Sequence, residues 1–109
     1  MHPDDFEELR DLITTWASNI GRRIRVYLFG SRLQGVSTEE SDLDLAIEFL
    51  DHNEVDSELL WDELADGWQD YLSTLIGLTV DLQLYLRSAA TYLELAVNTE
   101  SKVLFEPKI

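Results

Sequence analysis

The stretch that most limits how this chain can fold is "DLDLAIEF", residues 42–49. Leu43, Leu45, Ile47 and Phe49 fall on one parity; Asp42, Asp44, Ala46 and Glu48 fall on the other. Successive side chains of a strand point to opposite faces, so this alternation predicts a strand with one face in a core and one polar face. It also puts two carboxylates side by side next to buried surface. Like charges so placed repel, and a cation between them would relieve the repulsion.

The segments around that strand read in turn. Phe6, Leu9, Ile13, Trp16 and Ile20 recur at spacings of three and four, which predicts an amphipathic helix over residues 4–20. Asp4 or Asp5 would cap it, and Gly21 would stop it. "IRVYLF", residues 24–29, is β-branched and aromatic and reads as a strand broken by Gly30-Ser31. "SRLQGVST" is expected to form a short helix or turn. Residues 55–76 read as a long helix with Leu60, Leu64, Trp68, Leu72, Leu75 and Ile76 inward. By the same spacing Trp61 and Trp68 are core residues rather than nucleotide-stacking ones. "LTVDLQLYL", residues 78–86, alternates again, with Asp81 on its polar face. Residues 88–100 read as a last helix, and "KVLFE" can add a short edge strand. The order α-β-(α)-β-α-β-α points to a single α/β or α+β domain over residues 1–109, with a small sheet and helices packed on it.

Charge narrows the function. The net charge is −14, and no Lys or Arg occurs between Leu33 and Leu86, a stretch that holds fourteen of the 22 acids. The remaining eight acids balance the eight bases. Such a surface repels phosphate backbones, so stable binding of long nucleic acid is not expected. It suits a basic protein partner or divalent cations, or simply aids solubility. There is no cysteine, which excludes disulfides and thiolate metal sites. No apolar run approaches a membrane span, and the acidic first residues do not read as a signal peptide. The expected location is cytoplasmic.

The chemistry is carried by a constellation. Asp42 and Asp44, two apart on one strand, can share a cation, and Asp81 has the same look on a neighbouring strand. Oxygen ligands without Cys or His nearby suit Mg²⁺ or Mn²⁺. Three carboxylates on one sheet face can hold two such ions, an arrangement suited to phosphoryl transfer. Gly30 lets backbone approach a ligand. Backbone N–H groups and the Ser31 hydroxyl can then cradle phosphate, and Arg32 can contact phosphate oxygens. The plainer alternatives are polar-face aspartates, a helix-capping Ser31, a surface Arg32 and an exposed strand acid at Asp81. Arg22, Arg23 and Arg25 lie toward the end of the first strand opposite Gly30, which argues against a direct role in catalysis.

Gly30-Ser31, ten residues, then Asp42-Leu43-Asp44 resembles the G-S-x10-D-x-D signature of the DNA polymerase-β-like nucleotidyltransferase superfamily. Within it the chain resembles the small minimal nucleotidyltransferase, or MNT, proteins. "VYLFGSR", "TVDLQLY" and "ATYLELAVNTESKVLFE" fit that family, and the resemblance spans residues 20–106. It implies a mixed three-stranded sheet flanked by helices. It implies Mg²⁺ on Asp42 and Asp44, and Asp81 as the third carboxylate and general base. Gly30 and Ser31 would hold the triphosphate of ATP. The implied reaction moves AMP to a hydroxyl and releases pyrophosphate. Family members often serve as antitoxins of HEPN ribonuclease toxins, in known cases by adenylylating a toxin tyrosine, as in type VII-like toxin–antitoxin pairs. The only histidines here are His2 and His52, and neither completes an Arg-x4-6-His ribonuclease motif, so a HEPN toxin would be a separate chain. The alternatives are an inactive antitoxin that acts by binding alone, and a transferase acting on a small molecule. A homo-oligomer remains open.

Overall fold

The computed structural model describes residues 6–30, 42–86 and 101–107. The expected turn after Gly30, the expected helix over residues 88–100, and Asp4 and Asp5 lie outside these. In chain order the described elements are α1 (Phe6–Asn19), β1 (Ile24–Phe29), β2 (Leu43–Phe49), α2 (Glu54–Ile76), β3 (Val80–Leu84) and β4 (Lys102–Phe105).

The helices form where spacing and caps agree. In α1, Leu9, Ile13, Trp16 and Ala17 are buried, and Glu7 and Glu8 sit at the positive end of its dipole. Asn53 caps α2, its side chain accepting from the Asp56 N–H at 2.8 Å. Gly77 ends α2 in the left-handed conformation and donates its N–H to the Ser73 carbonyl at 2.9 Å.

The four strands form one mixed sheet in the order β3-β2-β1-β4. β1 pairs antiparallel with β2 and with β4, and β2 pairs parallel with β3. A parallel neighbour requires a crossover, and α2 is that crossover. The sheet therefore has four strands where the family resemblance implied three. The extra one is the "KVLF" segment, which pairs with β1 across a register shift at Val26/Tyr27.

The even residues of β1 and the odd residues of β2 face the helices, and Ile24, Val26, Leu43, Leu45 and Ile47 are fully buried there. α1 packs over β4 and α2 over β3, and the helices touch. Trp16 and Trp68 meet edge to face, with ring centres 5.4 Å apart at 88°. Such pairs contribute about 0.5–1.5 kcal/mol beyond their buried area. Leu75, expected inward, is 39% exposed. Leu72 and Ile76 take the centre of the helix's inner stripe, which leaves Leu75 on its margin beside Tyr71. Among the described residues no helix is long and apolar enough to cross a membrane.

The other face of the sheet carries the alternate parity. Its far end is tied by Arg25, which donates to Glu48 at 3.0 Å and to the Tyr27 hydroxyl at 3.3 Å and also pairs with Glu106. Tyr27 donates to Glu48 at 2.8 Å. Glu48 is only 8% exposed, so these partners hold its charge. Replacing Arg25 with Met is expected to lower unfolding free energy by about 2 kcal/mol in urea titrations, the usual loss for hydrogen bonds to a charged group. The carboxylates at the opposite end of the sheet should be unaffected.

Candidate active site

The site is built where β1 ends and β2 begins. Antiparallel pairing sets Phe29 opposite Asp44, which brings Gly30 to the edge of the Asp44 side chain. Parallel pairing on the other side sets Asp44 directly opposite Asp81. Two carboxylates from different strands thus share one sheet face, and Asp42 lies exposed just before β2. Asp81 also accepts from the Gln83 amide at 3.0 Å, two residues along its own strand. The alternation of β3 placed Gln83 on that face, but nothing in the pattern tied it to Asp81.

The electrostatics follow from that register. Burial holds the Asp44 carboxyl above the usual carboxylate range, and the nearby charges of Asp81 and Asp42 push it further. A hydrogen bond to Asp81 acts in the same direction, because it favours a proton held between the two groups. Asp44 is therefore uncomfortable as an anion, and a cation at this point would relieve each of those costs. Among the described residues no three His, Cys, Asp or Glu side chains form a ready metal-binding group. The carboxylates are neighbours by register and by charge rather than members of a closed cage.

Gly30 has a role beyond the one its position after a strand suggests. Its φ is +81°, in the left-handed region. A Cβ there would stand 2.1 Å from Asp44 Oδ2 and 2.9 Å from its Cγ. The missing side chain makes room for the carboxylate of Asp44 itself. The pairing of Phe29 with Asp44 brings about this close approach, which the position of a glycine after a strand does not announce. Ser31 and Arg32, the expected phosphate contacts, lie outside the described residues.

Next to the carboxylates on the same face lies a small apolar cluster of Tyr27, Ala46 and Tyr85, with Phe29 packed against it. The two tyrosine rings are 5.2 Å apart. This cluster separates the acidic end of the face from the Arg25–Glu48 end, where the arginines before β1 were expected. Trp61 and Trp68 pack against the core on the opposite side of the sheet, as their helical spacing predicts.

Residues 8–109 match the family described as Polymerase beta, Nucleotidyltransferase. The chain is 34% identical over 79 residues to the protein adenylyltransferase MntA of Thermococcus cleftensis, covering 70% of this chain and 73% of that protein. Its fold is similar to that of a chain in a crystal structure of a toxin–antitoxin with AMP-PNP, with a TM-score of 0.61 and 28% identity over 95% of this chain and 75% of that one. It is also similar to a chain in a complex of the tri-AMPylated HEPN toxin of Shewanella oneidensis with an MNT antitoxin. There the TM-score is 0.59 and the identity 26%, over 94% of this chain and 73% of that one.

Proposed function

From the premise that the chain belongs to the polymerase β nucleotidyltransferase family, we propose that it transfers AMP from ATP to a tyrosine hydroxyl of a partner HEPN toxin and thereby acts as an antitoxin. The observation that carries the reading is the direct pairing of Asp44 with Asp81 beside the side-chain-free Gly30. Relatives of the same fold occur in structures with AMP-PNP and with an AMPylated toxin, which supports both the nucleotide and the acceptor.

Asp42, Asp44 and Asp81 would hold Mg²⁺, or Mn²⁺, as one or two ions. Bound there, the metal supplies charge neutralisation for the phosphoryl group being transferred. The chain's own residues do the rest. Asp81 accepts the proton of the acceptor hydroxyl as its oxygen bonds to the α-phosphorus and pyrophosphate departs. The Gln83 amide donates to Asp81 Oδ1 and so orients that carboxylate. Backbone N–H groups at Gly30 and the Ser31 hydroxyl hold the triphosphate, and Arg32 contacts its oxygens. The site acts in the cytoplasm, on a partner supplied as a separate chain.

The test is direct. Incubation with the cognate HEPN toxin, ATP and Mg²⁺ should add AMP to the toxin in intact-mass spectra. Asp42→Ala/Asp44→Ala should add none. No adduct from the wild type, or an undiminished adduct from the double variant, overturns the proposal.

A second reading, inhibition by binding alone, is favoured by one feature. The outer side of α2 exposes Val55 and Leu59 among its acids, a surface that suits a protein partner. It predicts that Asp42→Ala/Asp44→Ala still silences the toxin.

A further inference from the structure

Asp81 sits on an edge strand. Among the described strands β3 is the last of the sheet, so only β2 pairs with its backbone there. The groups of Thr79 and Tyr85 face β2: the Leu43 N–H donates to the Thr79 carbonyl at 2.8 Å and the Tyr85 N–H to the Ile47 carbonyl at 2.8 Å. Backbone direction alternates along a strand, so the N–H groups of Val80 and Leu82 point outward, one on each side of Asp81. Both are taken by side chains of α2. The Val80 N–H donates to Ser73 Oγ at 2.9 Å, and the Leu82 N–H donates to Gln69 Oε1 at 3.0 Å. Gln69 and Ser73 are four residues apart and so lie on one face of the helix.

The position of these two bonds matters because of what lies across the strand pair. Asp44 and Asp81 are directly opposed like charges, an arrangement that pushes two strands apart. β1 backs β2 on its other side, so β2 resists that push, while β3 is the free edge. The only described restraint on the outer side of β3 at this level is the pair of acceptors on α2. α2 in turn is anchored by Leu72 and Ile76, which are buried in the core between and beyond those acceptors.

We infer that Gln69 and Ser73 are positioning residues for the carboxylate of Asp81. They act through the backbone of β3, holding Asp81 at the distance from Asp44 at which one cation can engage both. The inference rests on the reading of Asp44 and Asp81 as partners at one cation site. It assigns a part in the site to a helix that otherwise serves as a crossover, on the side of the sheet opposite the carboxylates. Any restraint on β3 reaches Asp81 without touching a ligand, in the way that outer-shell contacts orient metal ligands elsewhere.

The test uses isotopically labelled protein titrated with Mg²⁺ alone, with the backbone amide signals of Asp44 and Asp81 followed by NMR. Gln69→Met keeps the side-chain length and removes the acceptor, and Ser73→Ala is the milder counterpart. Each is expected to weaken Mg²⁺ binding about 10-fold, the lower bound for loss of an outer-shell contact. Gln69→Glu restores an acceptor for the Leu82 N–H and is expected to recover most of the affinity. In the AMP-transfer assay the same loss should appear in kcat, with KM for ATP little changed. A purely structural role predicts lower melting temperatures with wild-type Mg²⁺ affinity, and that result overturns the inference. Wild-type amides that do not respond to Mg²⁺ would instead overturn the cation site, and the positioning role with it.

Discussion

Asp44→Asn should make the metal-free protein more stable while reducing AMP transfer about a thousandfold. The second half follows from the proposed site: charge stabilisation worth several kcal/mol is lost, at 1.36 kcal/mol per decade of rate. The first half follows from the register. Asp44 is half-buried, faces Asp81 and feels Asp42, and its carboxyl is held above the usual range by burial first and by those charges next. An asparagine keeps the shape and removes the charge. The gain should be on the order of 1 kcal/mol, as for relieving a like-charge pair across two strands. That corresponds to roughly 4–8 °C in Tm for a domain of this size.

The sign with pH follows from proton linkage. A carboxyl with a raised folded-state pKa keeps its proton in the folded protein at pH values where the unfolded chain has released it. The folded state then binds more protons, so stability falls as pH rises through that window. Below the ordinary carboxylate range Asp44 is neutral in both states, and wild type and Asp44→Asn should melt alike. Near neutral pH, Asp44 carries its full penalty and the variant should melt higher. Thermal scans in EDTA at the two pH values measure the difference directly, since the other carboxylates are common to both proteins. Added Mg²⁺ should close the gap by stabilising the wild type alone. Equal melting temperatures at neutral pH without metal would show that Asp44 is not strained as an anion.

Gly30→Ala should be the most damaging single methyl in the described chain. Two costs fall on it together. The backbone is at φ +81°, where a side chain costs about 1–2 kcal/mol. The added carbon would also overlap Asp44 Oδ2 at 2.1 Å, so the carboxylate must move. It is hemmed in by the charges of Asp81 and Asp42. A total loss of about 3 kcal/mol is expected, the upper end for backbone strain at a functional position. Transfer should be lost beyond the loss of folded protein. Gly77 provides the control: it has the same φ, but nothing lies within 4 Å of a Cβ there. Gly77→Ala should cost only the backbone share, about 1 kcal/mol, and leave transfer per folded molecule unchanged. Denaturant titrations paired with the mass assay separate the two variants. Wild-type transfer by Gly30→Ala would show that the close approach to Asp44 does not matter to the site.

Much of this architecture is legible in the chain because the deciding physics is local. The parity of "DLDLAIEF" is set by the geometry of one strand, so the common face of Asp44, Ala46 and Glu48 needs no knowledge of the rest. The end of α2 follows from a glycine stop after a stripe at helical spacing, both readable within a few residues. The span from Gly30-Ser31 to Asp42 likewise joins the candidate site to a family before any strand is paired.

The tertiary structure decided whatever depends on which strands are neighbours and in what register. Asp81 lies far along the chain from Asp44, and a one-residue slip of β3 would turn it to the other face. Pairing alone set it opposite Asp44. The close approach of Asp44 to Gly30, across β1 and β2, is itself a demand for glycine at position 30 that only the pairing reveals. Leu75 and Leu72 look alike in the periodic pattern, yet only the placement of α2 buries one and exposes the other. Gln69 and Ser73 read as ordinary polar residues on a helix until β3 is known to be an edge strand. Strand order is a property of long-range pairing, and no spacing within α2 could announce that two of its side chains hold the strand that carries Asp81.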